Sequence, residues 1–229
     1  MYAQDELQDT FRQQLKIMLN RFCIVVIFGI AFGYIEAAVV VYLRTILYGY
    51  ASRLPFPLTC FLSASLLLTE VGREAATLIL MFTAAWLFGR NRQQRFTFFL
   101  TIFTVWDIFY YVWLKILAGW PGSIMDWDIL FLIPVVWAGP VLAPVLVSVA
   151  LLVFAVVILY RRCLERPIRP TPTGWVSFIL AALAVVASFC VAGQHAGEPD
   201  YRVHFHWPLF AAGYITAVAL FAKCLLKCK

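Results

Sequence analysis

Four acidic side chains, Glu36, Glu70, Glu74 and Asp107, stand in or beside long apolar runs of the sequence. A carboxylate in hydrocarbon is costly, and it is retained where it serves a pathway or a reaction. Held near a reacting group, it acts as a general base or acid. Glu70, Arg73 and Glu74 are spaced i, i+3, i+4 and therefore share one face of a helix. An arginine so placed either neutralises a glutamate of its own helix or grips an anionic head group with two parallel hydrogen bonds. Asp107, Tyr110 and Tyr111 share a face by the same spacing, mixed with Leu114, and Lys115 follows one turn above Tyr111. Lys115 either joins that group or snorkels outward. Glu36 lies on the side of Gly29, Gly33 and Ala37, a small-residue spacing that lets a second helix approach closely, so Glu36 is expected to face protein. The expected catalytic groups are Glu36, Glu70, Glu74 and Asp107; the expected substrate-binding groups are Arg73, Tyr110, Tyr111 and Lys115.

Metal-ligand residue types occur in two loops. In Asp126-Trp-Asp128 two acids at i, i+2 suit Mg²⁺ or Mn²⁺ shared with substrate phosphates; they equally suit a plain acidic loop. His204-Phe-His206 offers two imidazoles to a divalent ion. The same residues also suit a polar loop ahead of a helix opened by Trp207-Pro208. A divalent metal is the one cofactor that these pairs suggest. No GxSxG, glycine-rich phosphate loop or HExxH is present, and no motif assigns the chain to a family.

The elements that position these groups follow from hydropathy. The chain has 229 residues, of which 63% are hydrophobic and 13% charged. Soluble domains are about 45–50% apolar and about 25% charged. The reading is an all-α polytopic membrane bundle forming a single domain over residues 1–229. Its six spans are Phe22–Leu43, Glu70–Gly89, Phe96–Ala118, Val141–Tyr160, Trp175–Val191 and Trp207–Leu226. Thirteen of the 18 lysines and arginines fall in the segments around residues 12–21, 90–95, 161–169 and 223–229. By the positive-inside rule these segments and both termini are cytoplasmic, in a plasma or bacterial inner membrane. The net charge of +6 is accounted for by this bias rather than by nucleic acid. Residues 1–21 place Leu7, Phe11, Leu15 and Met18 on one stripe, as in an amphipathic helix on the leaflet surface; a frayed tail is the alternative.

Two stretches fit the six spans poorly. Residues 54–69 are uncharged but reach only about 24 Å as a helix, short of the roughly 30 Å hydrocarbon core. They are expected to re-enter or lie along the interface, started by Pro55 and Pro57. Residues 129–160 carry no charge and contain Pro134, Pro140 and Pro144. Their first third is expected to be a broken helix or a re-entrant piece, with 133–144 as a cavity wall. Trp113, Trp120, Trp127 and Trp207 read as an interfacial aromatic belt. Six cysteines without a CxxC, of which only Cys60 and Cys190 lie toward the outside, exclude a disulfide scaffold.

Counted along the helices, Asp107 lies about 16 Å from the cytoplasmic edge, Glu36 about 21 Å, Glu74 about 22 Å and Glu70 about 28 Å. Lys115 stands about 12 Å beyond Asp107, so Arg73 is the cation expected to meet Asp107, directly or through a water or ion. Three functions are compatible with these residues. One is an enzyme acting on a lipid-linked or amphipathic substrate at a site open to the extracytoplasmic face. Another is a proton- or cation-coupled transporter titrating Glu36 and Asp107. The third is a non-catalytic assembly subunit. Membrane lipid is a partner in each.

Overall fold

Local capping chemistry marks where the helices start. In the computed structural model, which describes residues 2–48, 63–168, 170–198 and 200–227, Ser63 Oγ accepts from the N–H of Leu66. Asn91 Oδ1 accepts from Gln94, and Thr171 Oγ1 accepts from Gly174 with Pro172 in the first turn. Each cap satisfies a backbone donor that the helix cannot satisfy itself. The helices are α1 (Tyr2–Tyr48), α2 (Ala64–Phe88), α3 (Arg92–Ala118), α4 (Leu142–Cys163), α5 (Pro172–Gln194) and α6 (Trp207–Lys227). Six are long and apolar enough to cross a membrane, as an integral membrane protein requires. Gly119, at φ 69°, ends α3 in the left-handed conformation that glycine tolerates.

The leader is not a separate element. It is continuous with the first span in one helix of 47 residues, about 70 Å long. Of the segment expected to re-enter, 54–62 lies outside the described residues, and 64–69 forms the first turns of α2. The expected broken helix is instead an antiparallel hairpin, β1 (Trp127–Phe131) paired with β2 (Trp137–Pro140), with Asp128 opposite Gly139. Prolines at 134 and 140 deny that stretch a helical ladder, and pairing satisfies its backbone instead.

α1 packs chiefly on α3, α3 on α4, and α5 on α6, while the hairpin rests on α5 and α4. Arg90, Arg92, Arg161 and Arg162 gather at one end of the bundle, hereafter the basic end; the hairpin closes the other. At the basic end Arg21 donates to the Phe88 carbonyl, Arg162 to Gln93, and Arg95 lies over the Trp86 ring at 3.6 Å. At the hairpin end Trp120 and Trp127 are buried, and Trp113 Nε1 donates to the Ile30 carbonyl. These three indoles therefore pack against protein.

Candidate functional site

The α1–α3 seam sets the site's back wall. A Cβ on Gly33 would stand 3.0 Å from the Trp106 carbonyl oxygen, and one on Gly29 would stand 2.9 Å from Val105. Glycine lets the two backbones close to that distance. Glu36, on the same face, is buried against protein as expected.

Arg73 reaches across from α2 and closes on Glu36 through Nη1, while its Nε and Nη2 hold Glu70 at 2.9 and 2.8 Å. One guanidinium thus ties α1 to α2 and satisfies two buried carboxylates, a fork geometry that lysine cannot supply. Glu74, one helical turn along, accepts from the backbone N–H of Leu132 with both oxygens, at 3.1 and 2.9 Å. This bond fixes the end of the hairpin to α2.

Asp107 does not meet Arg73. Its Oδ2 accepts from Ser148 Oγ of α4 at 2.7 Å, and Arg73 and Asp107 share no hydrogen bond or ion pair among the described residues. The reason lies in distribution: Arg73 has two glutamates within reach, which exhaust its fork, while Asp107 turns towards α4.

Asp128 enters from β1. Its carboxylate lies 4.0 Å from Arg44 Nη2, beside the Tyr110 and Tyr111 hydroxyls, and Arg44 is stacked on the Trp120 ring at 4.4 Å. Burial pushes the Asp128 carboxyl up to about 6, although Arg44, both tyrosine hydroxyls and the Ile129 N–H pull it down.

All of these acids border a cavity of about 1030 Å³. Its wall runs along α3 from Arg92 to Tyr111, about 28 Å, and is completed by α1, α2, α4, α5, α6 and the hairpin. Between its ends the lining is almost wholly apolar: Phe103, Leu151, Phe154, Ile158, Phe178, Phe221 and their neighbours. Near the basic end Phe96 meets Trp175 edge to face. Trp137 and Pro144, from the segment expected to wall a cavity, do line it. The indole N–H groups of Trp106 and Trp137, both lining residues, are buried without an acceptor among the described residues.

The cavity therefore gathers Glu36, Glu70, Arg73, Glu74, Asp107, Tyr110, Tyr111 and Asp128. Four other expected residues go elsewhere. Lys115 Nζ donates to the Gly119 and Pro121 carbonyls, outside the cavity. Asp126 Oδ2 accepts from the N–H groups of Gly122 and Ser123 and shapes its own turn. The Nδ1 of His206 accepts from Leu209 N–H and caps α6, whereas His204 turns towards His195 and Glu198.

Ser148, Arg44 and the two indoles are absent from the expected set. Ser148 alone carried a signal, as the only hydroxyl between Val141 and Val157. Compared with known proteins, the chain matches no family model, no curated protein and no solved structure, so its function is to be read from this geometry.

Proposed function

We propose that this membrane protein admits an amphipathic, lipid-like molecule to the cavity and acts on its polar head by carboxylate acid–base chemistry. The observation that carries the proposal is the cavity's form: an apolar channel of membrane-spanning length ending in a cluster of acids and tyrosines at the hairpin. An acyl or prenyl tail fits the channel, and the head group then lies among the acids. With the basic end in the cytoplasm, that cluster is on the extracytoplasmic side.

The electrostatics narrow the head group. Both guanidiniums nearby are already engaged, Arg73 with Glu36 and Glu70, Arg44 with Asp128. An anionic head group would have to displace a carboxylate. A neutral hydroxylated or a cationic head suits the five acids, and the indole N–H groups of Trp106 and Trp137 offer donors to its oxygens. Asp107 and Glu74, which carry no guanidinium partner, are the groups assigned to proton transfer. Arg73 has the role of holding α1 to α2.

The test is direct. Protein purified in mild detergent is extracted and its bound amphiphile identified by mass spectrometry, in the wild type and in Leu151→Trp, which fills the channel. Co-purification that falls in the variant supports the reading. Equal amounts of amphiphile in both, or none in either, would end it. Conversion of that amphiphile by the wild type and not by Asp107→Asn then tests the chemistry.

The reach of the lining from Arg92 to Asp128 also favours a second reading, in which the amphiphile or a proton moves between the two faces. Uptake into sealed proteoliposomes without chemical change distinguishes it.

A further inference from the structure

The loop between α5 and α6 brings together four side chains from a short stretch of sequence. His195 caps the end of α5, Glu198 and Asp200 follow, and His204 closes a 3₁₀ turn, Tyr201–His204. His195 Nδ1 stands 2.9 Å from Glu198 Oε1. His204 Nε2 stands 3.5 Å from Glu198 Oε2 and 3.7 Å from Asp200 Oδ2. The ligand atoms of His195, Glu198 and His204 all lie within 4.8 Å of one another.

We propose that His195, Glu198 and His204, with Asp200 as a fourth ligand, bind a single zinc ion at the extracytoplasmic end of the bundle. Three observations support the site independently of the cavity. First, the separations are near those a tetrahedral ion needs: ligand atoms about 2.0–2.1 Å from it stand about 3.3 Å apart, and three of the pairs here stand 2.9, 3.5 and 3.7 Å apart. Second, His204 Nε2 is shielded from solvent yet has no hydrogen-bond partner among the described residues, although two carboxylate oxygens lie just beyond bonding range. An ion between them satisfies all three atoms. Third, the charges balance, since two neutral imidazoles and two carboxylates neutralise a divalent cation. A mixed N₂O₂ set suits zinc better than Mg²⁺ or Ca²⁺, which take oxygen alone.

The imidazoles are stacked, with centroids 3.9 Å apart and planes inclined by 13°. Coordination places the ion in the plane of each ring, so binding turns the rings about χ2 from stacking into convergence. His195 and His204 side chains are 33% and 28% exposed, which leaves room for that turn. The site also has a mechanical consequence. Tyr201 and Phe205 pack edge to face on Trp127 of β1, the neighbour of Asp128. An ion at His204 therefore pins the loop over the wall of the cavity's polar end.

The experiment uses the full chain in detergent, stripped with chelator and titrated with zinc alone. Calorimetry and metal analysis are expected to give one zinc per chain, with a rise in thermal unfolding temperature. His195→Ala and His204→Ala each weaken binding by more than about tenfold, since loss of even an outer-shell partner costs about 10–100-fold. His206→Ala, which alters only the α6 cap, leaves affinity unchanged. The conservative His204→Gln variant guards against misfolding: it keeps the unfolding temperature of the chelated wild type and loses the zinc-induced rise. Zinc binding that survives the His195→Ala, His204→Ala double variant, no binding by the wild type, or equal loss in His206→Ala would each overturn the assignment.

Discussion

The seam between α1 and α3 and the channel beside α2, α4 and α5 are built by opposite rules. At the seam, Gly29 and Gly33 let backbone meet backbone, and nothing can be inserted. Across the bundle, large apolar side chains line about 1030 Å³ of space. The acids stand on the border between the two: Glu36 projects from the seam, Asp107 from the next helix and Glu70 and Glu74 from across the gap. The contrast shows how a small membrane protein keeps charged groups at fixed positions beside a space large enough for a guest. Rigidity comes from contact too close to yield, and Arg73 is the strut between the halves.

Added bulk is the sharpest way to break that contrast. Gly33→Leu drives a side chain into the Trp106 carbonyl and the Tyr110 amide, and the expected loss exceeds about 3 kcal/mol. Its thermal unfolding in detergent checks this, and wild-type stability in that variant would erase the distinction between seam and channel.

Next comes the strut. Arg73→Met strands two buried carboxylates, at an expected cost of about 3–5 kcal/mol. The triple replacement Glu36→Gln, Glu70→Gln, Arg73→Met recovers most of it. Strict additivity across this cycle would mean that the three groups are independent.

A smaller effect belongs to Asp128. Its carboxyl is raised by burial from 3.8 to about 6, so the folded protein holds a proton there that the unfolded chain has released. Stability therefore falls as pH rises from about 4 to about 6 and levels off above. The difference between wild type and Asp128→Asn in a pH series of unfolding temperatures isolates this contribution. A difference of opposite slope would mean that Arg44 and the hydrogen-bond donors outweigh burial, and no difference would place Asp128 in a solvated site.

The smallest expected effect is that of Leu151→Trp. It adds volume as Gly33→Leu does, but into space, and the unfolding temperature should stay within a few degrees of wild type. A large loss there would show that the channel is packed core.

The sequence revealed the spans well and the angular arrangement around them poorly. Uninterrupted apolar runs specify helices wherever they occur, and the six expected spans each fall within one observed helix, apart from a residue at two ends. Counting along a helix also gives depth, which placed Glu36, Glu74 and Asp107 at comparable levels. It does not give direction relative to a neighbouring helix, and the pairing of Arg73 with Asp107 failed for that reason. Arg73 chose Glu36, and Asp107 chose Ser148. The hairpin was hidden because its strands are short, five and four residues. Their pairing partners lie on the far side of Pro134, so the period of two that marks a strand never builds up. Adjacency in sequence pairs His204 with His206, whereas the fold returns His204 to His195.

The unbroken α1 has one more consequence. A helix of 47 residues exceeds the roughly 30 Å hydrocarbon core by about 40 Å. It is held laterally at the glycine seam, and the excess acts as a lever arm with that seam as its fulcrum. A tilt of about 10° there would swing the far tip sideways by about 7 Å, given a rise of 1.5 Å per residue. Any strain that a guest imposes on Glu36 through Arg73 is thus amplified at the opposite side of the membrane, where a spin label or fluorophore on the first turns would register it.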